Sequence, residues 1–112
     1  MKVENKFRIT YYHKDDKRIE HIYIVLGELI PDWGDKWYVV GRDMRTGLVD
    51  INGNDVFRGD EIEGFLEIEK DNYSFKGNVI FKDGCFSCDN ADFELKHYDL
   101  KIVGNIYKNI LL

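Results

Sequence analysis

Two cysteines three positions apart, Cys85 and Cys88, are the first residues here whose spacing could do chemistry. Cys-x-x-Cys is half of a structural zinc site or the core of a dithiol couple. A closed zinc site needs four ligands. No second cysteine pair exists, and His13, His21 and His97 are scattered along the chain. If the segment is a strand, positions three apart point to opposite faces. The expectation is therefore two reduced thiols, with no metal and no cofactor.

The remaining catalytic inventory is thin. Serines occur only at 74 and 87, neither flanked as a nucleophile elbow requires. No phosphate-cradling glycine loop is present. Asp15-Asp16 could act as a carboxylate pair, but Lys14, Lys17 and Arg18 surround it, as in a solvated turn. Arg58-Gly59-Asp60 spells an adhesion tripeptide. Its chemistry equally suits a tight turn, with Gly59 at positive φ and Asp60 bonding backbone. No catalytic residue is nominated, and the chain is not expected to be an enzyme.

Two surface constellations remain as binding candidates. Glu61, Glu63, Glu67 and Glu69 alternate along one stretch, interrupted by Phe65. Such a row is either a solvated face that discourages aggregation or a docking face for a basic partner anchored by Phe65. Trp33, Trp37 and Tyr38 cluster around a Pro/Gly loop. They either pin that loop or build a subunit interface or ligand pocket, since indole joins apolar area to one donor.

The elements that must position these residues are strands. From Asp60 to Glu69, Ile62, Leu66 and Ile68 share one parity with Gly64, and the glutamates hold the other. A helix would not keep that period of two. Lys70-Asp71-Asn72 supplies turn residues, and the return strand sets Tyr73, Phe75, Gly77, Val79 and Phe81 on one face. The expected buried set is Ile62, Leu66, Ile68, Phe75, Val79 and Phe81. Asp83-Gly84 is a favoured two-residue hairpin turn, because both residues accept positive φ. Earlier, Phe7, Ile9 and Tyr11 alternate against Arg8, Thr10 and Tyr12 as a strand. The stretch 18–26 is apolar on both parities, which implies cover on both faces, from the barrel or another subunit. Residues 27–36 read as a loop and 37–41 as a short strand. Gly47, Asn52-Gly53 and Gly59 punctuate the approach to the central hairpin. Strands or turns are expected around Phe86, at 89–92 and at 93–98, with 99–107 closing an antiparallel barrel.

Composition bounds the class. With 112 residues, 44% of them hydrophobic and 14% aromatic, the chain suits one globular domain. No apolar run approaches the length of a membrane helix, and the first residues lack a signal-peptide pattern, so cytoplasm is the expected location. Residues 1–45 hold nine Lys/Arg and eight Asp/Glu, while residues 46–112 hold seven and thirteen. The excess of acid in the second part is a poor footprint for nucleic acid.

Four segments together resemble the YopX family of bacteriophage and prophage proteins. They are Thr46-Gly-Leu-Val-Asp-Ile-Asn-Gly53, Asp55-Val-Phe-Arg-Gly-Asp60, Gly77-Asn-Val-Ile-Phe-Lys-Asp-Gly84 with Phe86, and Val103-Gly-Asn-Ile-Tyr-Lys-Asn109. The resemblance implies an SH3-like small barrel over residues 46–112, with an added N-terminal β segment and loop over residues 1–45. It brings no catalytic residues. Lys6-Phe7-Arg8 matches the family's opening, but Ile9-Thr10-Tyr11 replaces the Trp-Asp that often comes next. Asn109-Ile-Leu-Leu112 is shorter than the usual ending and lacks its proline.

Three functions are carried forward. The first is a non-catalytic, homo-oligomeric accessory module that binds a host or phage protein. The second is a small barrel associated with nucleic acid, which should gather Lys14, Lys17, Arg18, Arg42 and Arg45 on one face. The third is a small-ligand binder with its pocket near Trp33 and Trp37.

Overall fold

A computed structural model describes residues 6–90 and 94–111. Among these residues eight strands and two 3₁₀ turns succeed one another. β1 (Lys6–His13), β2 (Arg18–Val25), β3 (Trp37–Val49) and β4 (Asp55–Phe57) form one antiparallel sheet in the order β2-β1-β3-β4. β5 (Asp60–Ile68), β6 (Asp71–Lys82), β7 (Cys85–Cys88) and β8 (Asp99–Asn105) form a second, ordered β7-β6-β5-β8. The fold is all-β, as expected, but the sheets stay open rather than closing into a barrel. β3 runs through the 45/46 boundary between the two expected segments. No described helix is long and apolar enough to cross a membrane.

The central hairpin has the expected faces. Ile62, Gly64 and Leu66 of β5 stand opposite Gly77, Phe75 and Tyr73 of β6. Gly64 is needed because the Phe75 ring lies across it; a Cβ there would sit 2.1 Å from Cζ of that ring. Ile62 and Val79 are fully buried, joined by Val56, Cys88, Leu95 and Leu100 in one core. Leu48 and Phe75 pack against it, so Leu48 near the end of β3 and Val56 of β4 supply its second layer.

Two expectations about the hairpin fail. Ile68 and Phe81 are exposed, and Leu66 and Phe75 only half-buried. For Leu66 and Ile68 the physical reason is length: β8 begins at Asp99 opposite Phe65, so among the described residues no third strand lies beside the hairpin from Leu66 to Asn72. Phe81 lies at the other end of β6, beyond the start of β5 and opposite Phe86 of β7. The turn also falls one residue earlier, at Glu69-Lys70, where Glu69 takes φ 58°. Asp83 and Gly84, by contrast, both take positive φ and join β6 to β7, as the hairpin rule anticipates.

The N-terminal sheet buries both faces of β1. Ile9 and Tyr11 lie under the 26–36 loop, where the Tyr11 hydroxyl donates to the Pro31 carbonyl. Arg8 and Thr10, on the polar parity, are buried toward the second sheet. The expected short strand at 37–41 is thirteen residues long, and β2, expected to be covered twice, is an edge strand with no fully buried residue. A 3₁₀ turn at Leu95–His97 satisfies the expectation for 93–98, although residues 91–93 lie outside those described. The Cα radius of gyration is 15.6 Å against about 13 Å for a compact chain of this length, and the extents are 54 × 38 × 27 Å. Two sheets with a projecting hairpin account for the difference.

Candidate functional site

Four side chains from distant parts of the chain meet where the sheets join. β1 delivers Arg8, β3 delivers Asp43, the β4–β5 corner delivers Asp60, and the C-terminal 3₁₀ turn (Ile106–Leu111) delivers Tyr107. All four are buried. The Arg8 guanidinium donates to Asp60 and lies 3.5 Å from Asp43. The Tyr107 hydroxyl donates to Asp43.

Local chemistry explains each placement. Gly59 turns the chain at φ 88°, and Asp60 then accepts the Phe57 N–H at 2.8 Å. The tripeptide is thus a turn with its carboxylate inside the protein. Asn105 accepts the Tyr107 N–H at 2.9 Å and starts the last 3₁₀ turn, while the Ile106 N–H donates to the Gly59 carbonyl at 2.9 Å. Gly41 makes room: a Cβ there would lie 2.0 Å from the Tyr107 hydroxyl. Arg8 also stacks over Phe57 at 5.3 Å.

Burial sets the electrostatics. It pushes the Tyr107 phenol far up, reinforced by the bond to Asp43. It raises the Asp60 carboxyl, against the opposing pull of the Arg8 guanidinium. His21 is lowered by burial and by Arg8, and its Nδ1 lies 2.9 Å from the Thr10 hydroxyl. A hydroxyl bonded to an imidazole could activate a nucleophile. Here Thr10 is wholly buried, so the pair ties β1 to β2.

Grooves flank this cluster. One of about 690 Å³ is lined by Val40, Gly41, Asp43, Asn78 and Tyr107 among others. Another, of about 530 Å³, is lined by residues including Lys6, Arg8, His21, Tyr23 and Asn52. A third, of about 330 Å³, lies beside the 26–30 loop against Phe7, Ile9, Ile24 and Met44.

The residues nominated from sequence sit elsewhere. Trp33 stacks on Tyr11 at 4.0 Å and 8°, and Trp37 meets both rings edge-on. This aromatic knot holds the 31–37 loop on β1. Tyr38 is not in it; it pairs with Tyr12 and is exposed. Glu61, Glu63, Phe65 and Glu67 do share one face of β5. Their charge is partly answered: Glu61 bonds Lys108, which holds its carboxyl low, and lies 3.8 Å from Lys76. Glu63 stands between Lys76 and Lys101 in register. Only Glu67, opposite Asn72, lies in the uncovered part of the hairpin. Glu69 belongs to the turn.

The basic residues do not form one stripe. Arg45 is held by Asp55 at 2.9 Å, Lys14 and Lys17 lie in the β1–β2 turn, and Arg42 stands opposite Ile9 in mid-sheet. Cys88 is buried and donates to Asn90 at 2.9 Å. Cys85 lies on the other face of β7, in register with Lys82. Among the described residues no group of three or more His, Cys, Asp or Glu could hold a metal.

Sequence reasoning missed the buried cluster. A signal existed, since Asp60 and Tyr107 each fall in one of the four singled-out segments and Arg8 interrupts an apolar strand. Their convergence was not written in any local pattern. No protein-family model, curated protein or solved structure matches the chain.

Proposed function

We propose that this chain is a YopX-like phage or prophage accessory protein that works without catalysis, as a self-associating module that binds another protein. The observation that supports this reading best is the uncovered end of the β5–β6 hairpin. There Ile68 and Tyr73 are each 52% exposed on one face of the arm, and Phe65, opposite the first residue of β8, is 41% exposed on the other. Among the described residues no strand lies beside the arm from Leu66 to Asn72. A two-stranded ribbon is marginal by itself in water, and apolar rings on it gain by being covered. Phe65 is the anchor, with Glu67 as its acidic neighbour, so the partner surface is apolar at its centre and basic at its rim.

The motifs behind the resemblance support the family half of the proposal in a different way. The Asp55–Asp60 and Val103–Asn109 segments supply Asp60 and Tyr107, which hold the two sheets together. Such segments specify a scaffold, and the binding surface then varies on it. Nucleic acid has less support, because the basic side chains are dispersed and Arg45 is engaged.

The test is recovery of a partner from host cells on immobilised protein, repeated with the purified partner. Phe65→Ala and Tyr73→Ser should each weaken binding by about tenfold or more if these rings are hot spots, with the melting temperature little changed. Glu67→Lys should mainly slow association and change its salt dependence. Unchanged affinity in all three variants would remove the hairpin from the contact. A DNA affinity that persists at physiological salt would favour the nucleic-acid function instead.

A further inference from the structure

The two sheets end in four edges: β2 and β4 in the first, β7 and β8 in the second. An unpaired edge offers main-chain N–H and C=O groups to any passing strand, and proteins blunt it by shortness, charge or a bulge. β4 has three residues and β7 has four. β8 carries Asp99 and Lys101, and its pairing with β5 is broken by a register shift. β2 is different. It pairs with β1 without a break from Arg18 to Val25, and Ile22-Tyr-Ile-Val-Leu26 holds no charge. Tyr23 is 54% exposed along this edge, and Leu26 just beyond it 68%.

Hydrogen bonds at the two ends of the β1–β2 pair fix which groups face outward. The Lys14 N–H donates to the Lys36 carbonyl at 2.9 Å, which turns the even-numbered main-chain groups of β1 toward β3. The odd ones therefore turn toward β2, where Phe7, Ile9 and Tyr11 stand opposite Ile24, Ile22 and Glu20. The odd residues of β2 are left facing away from the sheet. Val25 agrees: its N–H goes to the Glu28 carboxylate at 3.3 Å, and its carbonyl accepts the Glu28 N–H at 3.1 Å. Among the described residues, the open main-chain groups on this edge are those of Ile19, His21 and Tyr23.

We propose that a second copy of this chain closes the edge, β2 against β2, antiparallel about a two-fold axis at His21. The two four-stranded sheets then become one of eight. A two-fold pairing is self-complementary, so each copy's open groups meet the same groups of the other. This register uses all three open residues: His21 meets His21, and Ile19 meets Tyr23 in an aromatic–aliphatic cross-strand pair. Glu20 falls opposite Ile22 and Arg18 opposite Ile24, so no like charges face each other. Leu26 comes opposite the partner's β1–β2 turn and extends the apolar contact. The assignment rests on the self-association part of the function proposed above and names the surface that performs it.

The experiment is light scattering and sedimentation of the full chain over a wide concentration range, with residue-resolved hydrogen exchange. The unaltered protein should dimerise, and the amides of Ile19, His21 and Tyr23 should exchange slowly only when it is concentrated. Tyr23→Pro removes one outward N–H and no bond to β1, a substitution edge strands tolerate. It should raise the dimer dissociation constant by about tenfold or more, while the circular dichroism is retained. If the proline variant fails to fold, exchange in the unaltered protein decides. A chain that stays monomeric at every concentration overturns this proposal and the self-association reading together. An oligomer in which those three amides exchange fast overturns the β2 edge alone, and leaves self-association through another surface standing.

Discussion

The Tyr107 hydroxyl donates to Asp43, 64 positions earlier in the chain, and the Tyr107 ring fits there because residue 41 has no side chain. This bond and that between Arg8 and Asp60 carry the joint between the two sheets. Removing the hydroxyl in Tyr107→Phe takes one donor from a buried carboxylate and should destabilise by about 1–3 kcal/mol. Gly41→Ala forces the ring to move and should cost a similar amount through overpacking. Because both act on one ring, the double variant should be less destabilised than the sum. Urea midpoints of the three variants check this.

Asp50 should make the fold sensitive to acid. Burial alone would raise its carboxyl, but the N–H groups of Asn54, Ile102 and Asn52 outweigh burial and hold it below the ordinary value. A depressed folded value means that the stabilisation is complete above roughly pH 4, the unfolded value, and is lost as pH falls through the folded one. Asp50→Ala should cost about 2 kcal/mol or more at neutral pH, since three donors lose a charged acceptor. The gap from the unaltered protein should narrow in acid. Denaturation curves at a series of pH values would show it, and a gap independent of pH would not fit.

The two thiols should separate in reactivity. Cys88 is buried, and burial pushes its thiol up, only partly offset by the Asn90 N–H. Cys85 is half-buried near the hairpin turn. Alkylation tracked by mass spectrometry should find Cys85 modified first and Cys88 only as the protein unfolds. Metal analysis should find no stoichiometric zinc, because the two sulfurs project from opposite faces of β7.

Alternation along each segment determined the strands. The run from Ile62 to Ile68 and its return through Phe75 and Val79 carry a period of two, a property of neighbouring residues that survives any packing. Asp83-Gly84 fixed its turn for the same local reason, since the residue types alone permit positive φ. What a strand faces is another matter, because it depends on residues far away in the chain. Arg8 and Thr10 sit on the polar parity of β1, yet they are buried, since Asp43 and Asp60 arrive from β3 and the β4–β5 corner to meet the guanidinium. The acidic row of β5 is partly neutralised because Lys76 arrives from β6 and Lys108 from the C-terminal 3₁₀ turn. Ile68 and Phe81 keep their apolar parity but lie exposed, because the core is too short to reach them. Periodicity reports which side chains share a face; only the tertiary structure, by closing loops of tens of residues, decides which faces are covered and which charges are paired.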